Sequence, residues 1–177
     1  MIPRPSLRAY PPNYRQALQA LESCHVRFIL VGEFAEALVG LPDTPWSLDI
    51  LVDSSETNLQ ALARFRRSFQ VWPPVDQDQL IGPAMDPIPA SYPFGDLLLS
   101  AHLPGIGSYY QALSWSRKGQ AFGLEFLILS PSGLLLVRRA EPDLPLRKIR
   151  LLEDVIRLER HLHEKDLPLE RRPTPAG

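Results

Sequence analysis

The chain has 177 residues, enough for one domain with short extensions. A domain of this length buries roughly 70% of the surface its unfolded chain exposes, so it folds without needing metal or disulfide. Hydrophobic residues make up 45% and charged residues 22%, and the formal net charge of -1 removes any global electrostatic case for nucleic acid or an anionic membrane.

Residues 1–12 hold four prolines and are expected to form an extended arm. From Asn13, apolar residues at Tyr14, Ala17, Leu18 and Leu21 have the spacing of a helix with one buried face. "VRFILVG" (26–32) reads as a buried strand ending in glycine, and "EFAEALVG" (33–40) as a short helix stopped by Gly40. "WSLDILV" (46–52) is a second strand. Ser54 or Ser55 then opens a helix through about Phe69, with Leu59, Leu62, Ala63 and Phe69 as its apolar stripe.

In the proline-rich stretch 70–95, "QLIG" is a candidate strand and "MDPIPASYP" is expected to be irregular, because each proline removes a ladder donor. "DLLLSAH" (96–102) is a strand, "PGIG" a turn, "SYYQALSWSRK" (108–118) a helix capped by Ser108, and "GLEFLIL" (123–129) a strand. "SPSGLLLVRRA" (130–140) starts a helix with proline in its first turn, where a missing N–H does no harm. Residues 146–163 form an amphipathic helix with Ile149, Leu152, Ile156 and Leu158 inside, and 164–177 is expected to be a disordered tail. The result is an α/β (α+β) class: a single domain over 13–163, its C-terminal helical part at about 131–163, with helices flanking a small mixed β-sheet. With no apolar run near ~20 residues and no apolar leader segment, the protein is expected in the cytoplasm and off the membrane.

Chemistry concentrates in 31–53. A strand ending in Gly32 before a helix start turns free amides outward, an arrangement suited to an anion. Asp49 sits amid "LDILV", where an unpaired carboxylate is costly, so it must be paired, bind a metal or lie at an exposed edge. Asp96 opens the apolar strand "DLLLSAH". If those strands are neighbours, the two carboxylates could share Mg²⁺, a hard cation that prefers oxygen ligands. Cys24, the single cysteine, excludes an internal disulfide and reads as a buried small hydrophobe. His102 could approach the site or be a satisfied loop histidine, Glu125 could replace a carboxylate or form a salt bridge, and Trp46 could stack a base or be a core or rim aromatic. His161 and His163 read as a solvated helix face, and Arg138, Arg139, Arg147, Lys148 and Arg150 as a basic cluster able to meet phosphate or RNA.

"VRFILVGEFAEALVGLPDTPWSLDILVDSSETNLQAL" resembles the core of the nucleotidyltransferase-fold (polymerase-β-like) superfamily in its minimal bacterial, abortive-infection-type branch. There a strand ends in Gly-Gly or Gly-Ser, and a Gly-x-Pro-Arg-x-Thr-x-Asp-x-Asp segment leads into an acidic strand. Gly40 and Pro42 match without a gap, "ETN" stands where a Glu-Asn pair often begins the next helix, and Asp49 falls on the second catalytic aspartate. The resemblance places Asp96 on the third aspartate and Arg138 where a lysine usually faces the site. It implies Asp49 and Asp96 as catalytic and Mg²⁺-binding residues, and Gly32, Glu33, Ser47 and Arg138 at the nucleoside triphosphate.

The departures cluster on the parts that touch ligand. Glu33 replaces the second glycine or serine, Asp43 the arginine, Pro45 the threonine and Ser47 the first aspartate, and Lys148-Ile149 stands for a Lys-Asp pair. Like charges ~4 Å apart repel by roughly 1 to 4 kcal/mol, more than the ~0.3–1 kcal/mol that a helix terminus contributes. Two functions stay open. One is a nucleotidyltransferase-like protein with a degraded site that acts by binding a protein or RNA partner. The other is an active Mg²⁺-dependent, toxin-like enzyme moving a nucleotidyl group to a small molecule, a protein or tRNA, with Glu33 rotated away or lending its charge to the metal.

Overall fold

Asn13 accepts a hydrogen bond from the Gln16 amide and so opens α1 (Tyr14–Ser23), which buries Ala17, Leu18, Ala20 and Leu21 as its spacing predicts. The computed structural model describes residues 13–42, 44–68, 88–92 and 95–166, with backbone alone at 88–92 and 164–166. The arm at 1–12, Asp43, Phe69, the "QLIG" strand and the tail beyond Asp166 lie outside the described residues.

β1 (Phe28–Val31) and β2 (Leu48–Val52) pair antiparallel, with Val31 opposite Asp49, and α2 (Gly32–Leu38) lies between them in the chain. Leu48, Ile50, Leu51 and Val52 are all buried, so both faces of β2 are covered, as its near-continuous apolar run requires. α3 (Glu56–Ser68) follows, burying Asn58, Leu59, Ala61, Leu62 and Phe65. Leu59 and Leu62 are buried as expected, Phe65 joins them, and Ala63 is only half-buried.

β3 (Ile88–Tyr92) overturns the expectation of irregular chain at "MDPIPASYP". It pairs antiparallel with β4 (Gly95–Ser100) at the outer edge of the sheet, where Pro89 can lack a donor without breaking an internal ladder. The expected strand to His102 instead breaks after Ser100. His102 and Leu103 form β5, which pairs with β6 (Gly107–Ser108) around the "PGIG" turn.

The expected helix over 108–118 is also shorter. α4 spans Tyr109–Ala112 and passes through a 3-10 turn at Leu113–Trp115 into β7 (Ser116–Ala121). The Ser114 and Ser116 hydroxyls donate to the Gln111 and Ala112 carbonyls, competing with helical bonds where the helix stops. β7 pairs antiparallel with β8 (Leu124–Leu129) and closes the sheet in the order β3-β4-β2-β1-β8-β7. The inner pairs β2–β4 and β1–β8 are parallel, so the sheet is mixed.

α5 (Pro131–Ala140) is capped by Ser130, which accepts from the Gly133 amide, with Pro131 in the first turn as predicted. α6 (Leu146–Asp166) packs along α5 and runs three residues past its expected end. Ile149 and Leu152 are buried as expected, but Ile156 is only half-buried, and Leu158 faces solvent because it lies about 120° or more around α6 from Ile149 and Leu152. This is the α/β class expected, a mixed sheet flanked by helices.

Candidate functional site

The register of β2 against β4 sets Leu48 beside Leu97 and Asp49 beside Leu98. Side chains alternate along a strand, so Asp96 lies on the same face as Leu98 and Asp49, one side-chain repeat nearer Ser47. The two aspartates are thus on one face of neighbouring strands. A cavity of about 270 Å³ is lined by Gly32, Asp49, Ser100, His102, Arg138 and Glu141 among others; Asp96 is not among its lining residues.

Gly32 opens α2 with φ of +64°, a left-handed conformation that glycine alone adopts freely. A Cβ there would stand 2.0 Å from Asp49 Oδ2. The anion beside this turn is therefore the protein's own carboxylate. Asp49 Oδ1 accepts from the Ser47 hydroxyl at 2.6 Å. Burial pushes the Asp49 carboxyl up to about 6; the Ser47 hydrogen bond opposes the rise, Glu33 adds to it, Arg138 opposes it and Glu36 adds again.

The cations around Asp49 are engaged elsewhere. Arg138 Nε donates to Glu36 Oε1 in a short contact, and its Nη1 donates to Glu141 Oε1 at 2.7 Å. Lys148, from α6, lies 3.0 Å from Glu33 Oε1 and 3.1 Å from Glu36 Oε2. Glu36 is wholly buried. Burial works to lower both cationic pKa values, but the carboxylates outweigh it: Glu36 then Glu141 raise Arg138, and Glu33 then Glu36 raise Lys148. Tyr14 feels the charges of Asp49 and Glu33. Its ring stacks on Phe34 at 4.3 Å, its hydroxyl donates to the Pro45 carbonyl at 2.6 Å, and burial, then the charges of Asp49 and Glu33, push it up to about 12.

One Asp49 oxygen accepts the Ser47 hydroxyl and the other lies beside Gly32, and Ser47 is a neutral oxygen where the resemblance implies a carboxylate. Among the described residues, no three His, Cys, Asp or Glu side chains group as a metal cage.

Gly32, Asp49 and Arg138 line the cavity, Ser47 is bonded to Asp49 and Glu33 to Lys148; Asp96 is not among the lining residues. Glu36 and Tyr14 are not among the expected site residues, and the sequence presents Lys148 only as part of a basic cluster and as the lysine of a broken Lys-Asp pair. The signal for Glu36 was its spacing of three from Glu33, which puts both on one helix face. The basic cluster disperses: Arg139 pairs with Glu153 at 2.7 Å, while Arg147 and Arg150 face solvent. His102 is exposed at the cavity rim. Glu125 lies in a different groove with His25 and Arg27, and Trp46, His161 and His163 are exposed. Cys24 is a free, half-buried thiol.

A second buried carboxylate, Asp53, serves the opposite end of β2. It pairs with Arg27 at 2.6 Å and accepts from the Ser55 amide and hydroxyl, each at 2.9 Å. Asn58 of "ETN" accepts from the Arg27 amide and donates to the Arg27 and Asp53 carbonyls. These residues hold strand to helix and lie away from the cavity.

No protein-family model and no curated protein match the chain. Among solved structures, a crystal structure from Thermotoga maritima, provisionally described as a nucleotidyltransferase, is similar with a TM-score of 0.49 and 16% identity, over 85% of this chain and 93% of that one. That likeness concerns the course of the chain alone.

Proposed function

We propose that the chain is a nucleotidyltransferase-like protein whose phosphate- and metal-binding positions are closed by its own side chains, and that it acts by binding a partner rather than by transferring nucleotide. The observation that carries this reading is the engagement of Arg138 and Lys148 by Glu33, Glu36 and Glu141. A triphosphate needs cations free to meet it. Here it would have to displace carboxylates already at contact distance, one of them fully buried. Above pH 6 the cluster sets four carboxylates against two cations, so the local field opposes an anionic ligand.

The test is titration calorimetry with each nucleoside triphosphate and Mg²⁺, alongside an assay for transfer of labelled nucleotide to protein, RNA and small acceptors. No binding heat and no transfer are expected. Transfer by the wild type that disappears in Asp49→Asn overturns the proposal and establishes the active enzyme instead.

A further inference from the structure

Helix α6 carries an apolar seam that its own domain leaves open. Leu158 is 59% exposed and Leu162 is 52% exposed, while Leu151 and Val155 are half-buried. At 100° per residue these four fall within about 60° of arc, next to the face that buries Ile149 and Leu152. Their spacing of four, three and four is that of a seam between two helices.

The seam has both a knob and a hole. Leu151, Val155 and Leu158 wall a groove against Leu41 and Pro42, and Asp154 stands on its rim. Leu162 projects one turn beyond it, with His161 beside it on the same flank as Asp154. A second copy laid antiparallel sets Leu162 against Leu151, Val155 against Leu158, and Asp154 against His161, each contact occurring twice. All three pairs centre on residues 156–158, the self-complementarity that a two-fold axis requires. Asp154 already meets Arg157 at 3.3 Å, but both side chains are largely exposed and that contact yields at little cost.

We propose that the protein forms a symmetric dimer through antiparallel pairing of α6 with α6 of a second copy, Leu162 of each filling the groove between α6 and the Leu41–Pro42 turn of the other. This surface is separate from the cavity at Asp49.

Sedimentation equilibrium of the full chain over roughly 10–500 µM, the range expected of a small interface, tests the assembly. A monomer–dimer equilibrium is expected, weakened at least tenfold by Leu162→Asp and by Leu158→Asp. Both positions are exposed, and an unchanged thermal melt at low concentration establishes that the variants fold. Geometry is tested in a Cys24→Ser background by mixing Asp154→Cys with His161→Cys under mild oxidation. A disulfide between the two different variants is expected, with little within either alone. A monomer throughout the range, a dimer indifferent to Leu162→Asp, or preferential cross-linking of position 154 to itself overturns the proposal.

Discussion

The Asp49 carboxylate lies against Gly32 so closely that a Cβ on residue 32 would stand 2.0 Å from Oδ2. Two penalties therefore meet in Gly32→Ala. The backbone at φ +64° costs an alanine about 1–2 kcal/mol, and the overlap adds about 1–3 kcal/mol. Chemical denaturation is expected to show a loss of about 2–5 kcal/mol. Adding Asp49→Ala should return the overlap part and leave the backbone part, so the double-mutant cycle measures the contact itself.

Asp49 also sets a pH dependence. Its carboxyl titrates near 6 in the folded chain against an ordinary 3.8, so the folded state holds the proton more tightly. A raised carboxyl contributes stability that is fully present below about pH 4 and is lost as pH rises through 6. The difference amounts to about 3 kcal/mol, at 1.36 kcal/mol per unit. Asp49→Asn is thus expected to be more stable than wild type by up to about 3 kcal/mol at pH 8, and to match it at pH 4. Urea unfolding at the two values measures this. Ser47→Ala removes the hydrogen bond that lowers Asp49, so its carboxyl resonance should titrate above 6 in that variant.

Glu33 and Glu36 share Lys148 but differ in burial. Glu36 is wholly buried between Arg138 and Lys148, and removing one member of a buried ion pair costs about 3–5 kcal/mol. Glu141 and Glu33 still attend the two cations in Glu36→Gln, so the lower end of that range is expected. Glu33 is about one-third exposed, and Glu33→Gln should cost about 1 kcal/mol or less. Equal losses in the two variants, measured as shifts in urea midpoint at pH 7, would contradict this ordering.

The sequence revealed what is local. Gly32 and Asp49 stand out because a strand, a glycine and an acidic strand follow one another within twenty residues, and period-two alternation then assigns faces. Glu36 did not stand out, because its burial depends on Arg138, 102 residues away, and on Lys148 in the last helix. Those two cations looked free for phosphate for the same reason. Strand β7 was misread because "SRKGQA" is polar and sits at the sheet edge, where a charge such as Lys118 is tolerated and alternation is faint. Pro89 misled in the opposite direction, its breaker signal being harmless on an edge strand. Leu158 was placed inside by helical periodicity, which reports an apolar face without saying what covers it.

Asn58 offers a final test, because "ETN" stands where the resemblance has a Glu-Asn pair opening a helix and the structure gives this asparagine a joining task. Its side chain accepts from the Arg27 amide at 2.6 Å and donates to the Arg27 carbonyl at 2.9 Å and the Asp53 carbonyl at 2.7 Å. It is buried, so each backbone group it serves would be stranded away from water in Asn58→Ala, at about 1–3 kcal/mol for the first and less for those that recover a partner. A total loss of about 3 kcal/mol is expected. Asn58→Asp keeps the acceptor for Arg27 but loses both donors and brings a second carboxylate toward Asp53, so it should be no milder. Neither change touches the residues around Asp49. In both variants the Asp49 carboxyl, followed by NMR titration while the protein remains folded, is expected to keep its midpoint near 6. A shifted midpoint would mean that the two ends of β2 are coupled, and that Asn58 does more than join strand to helix.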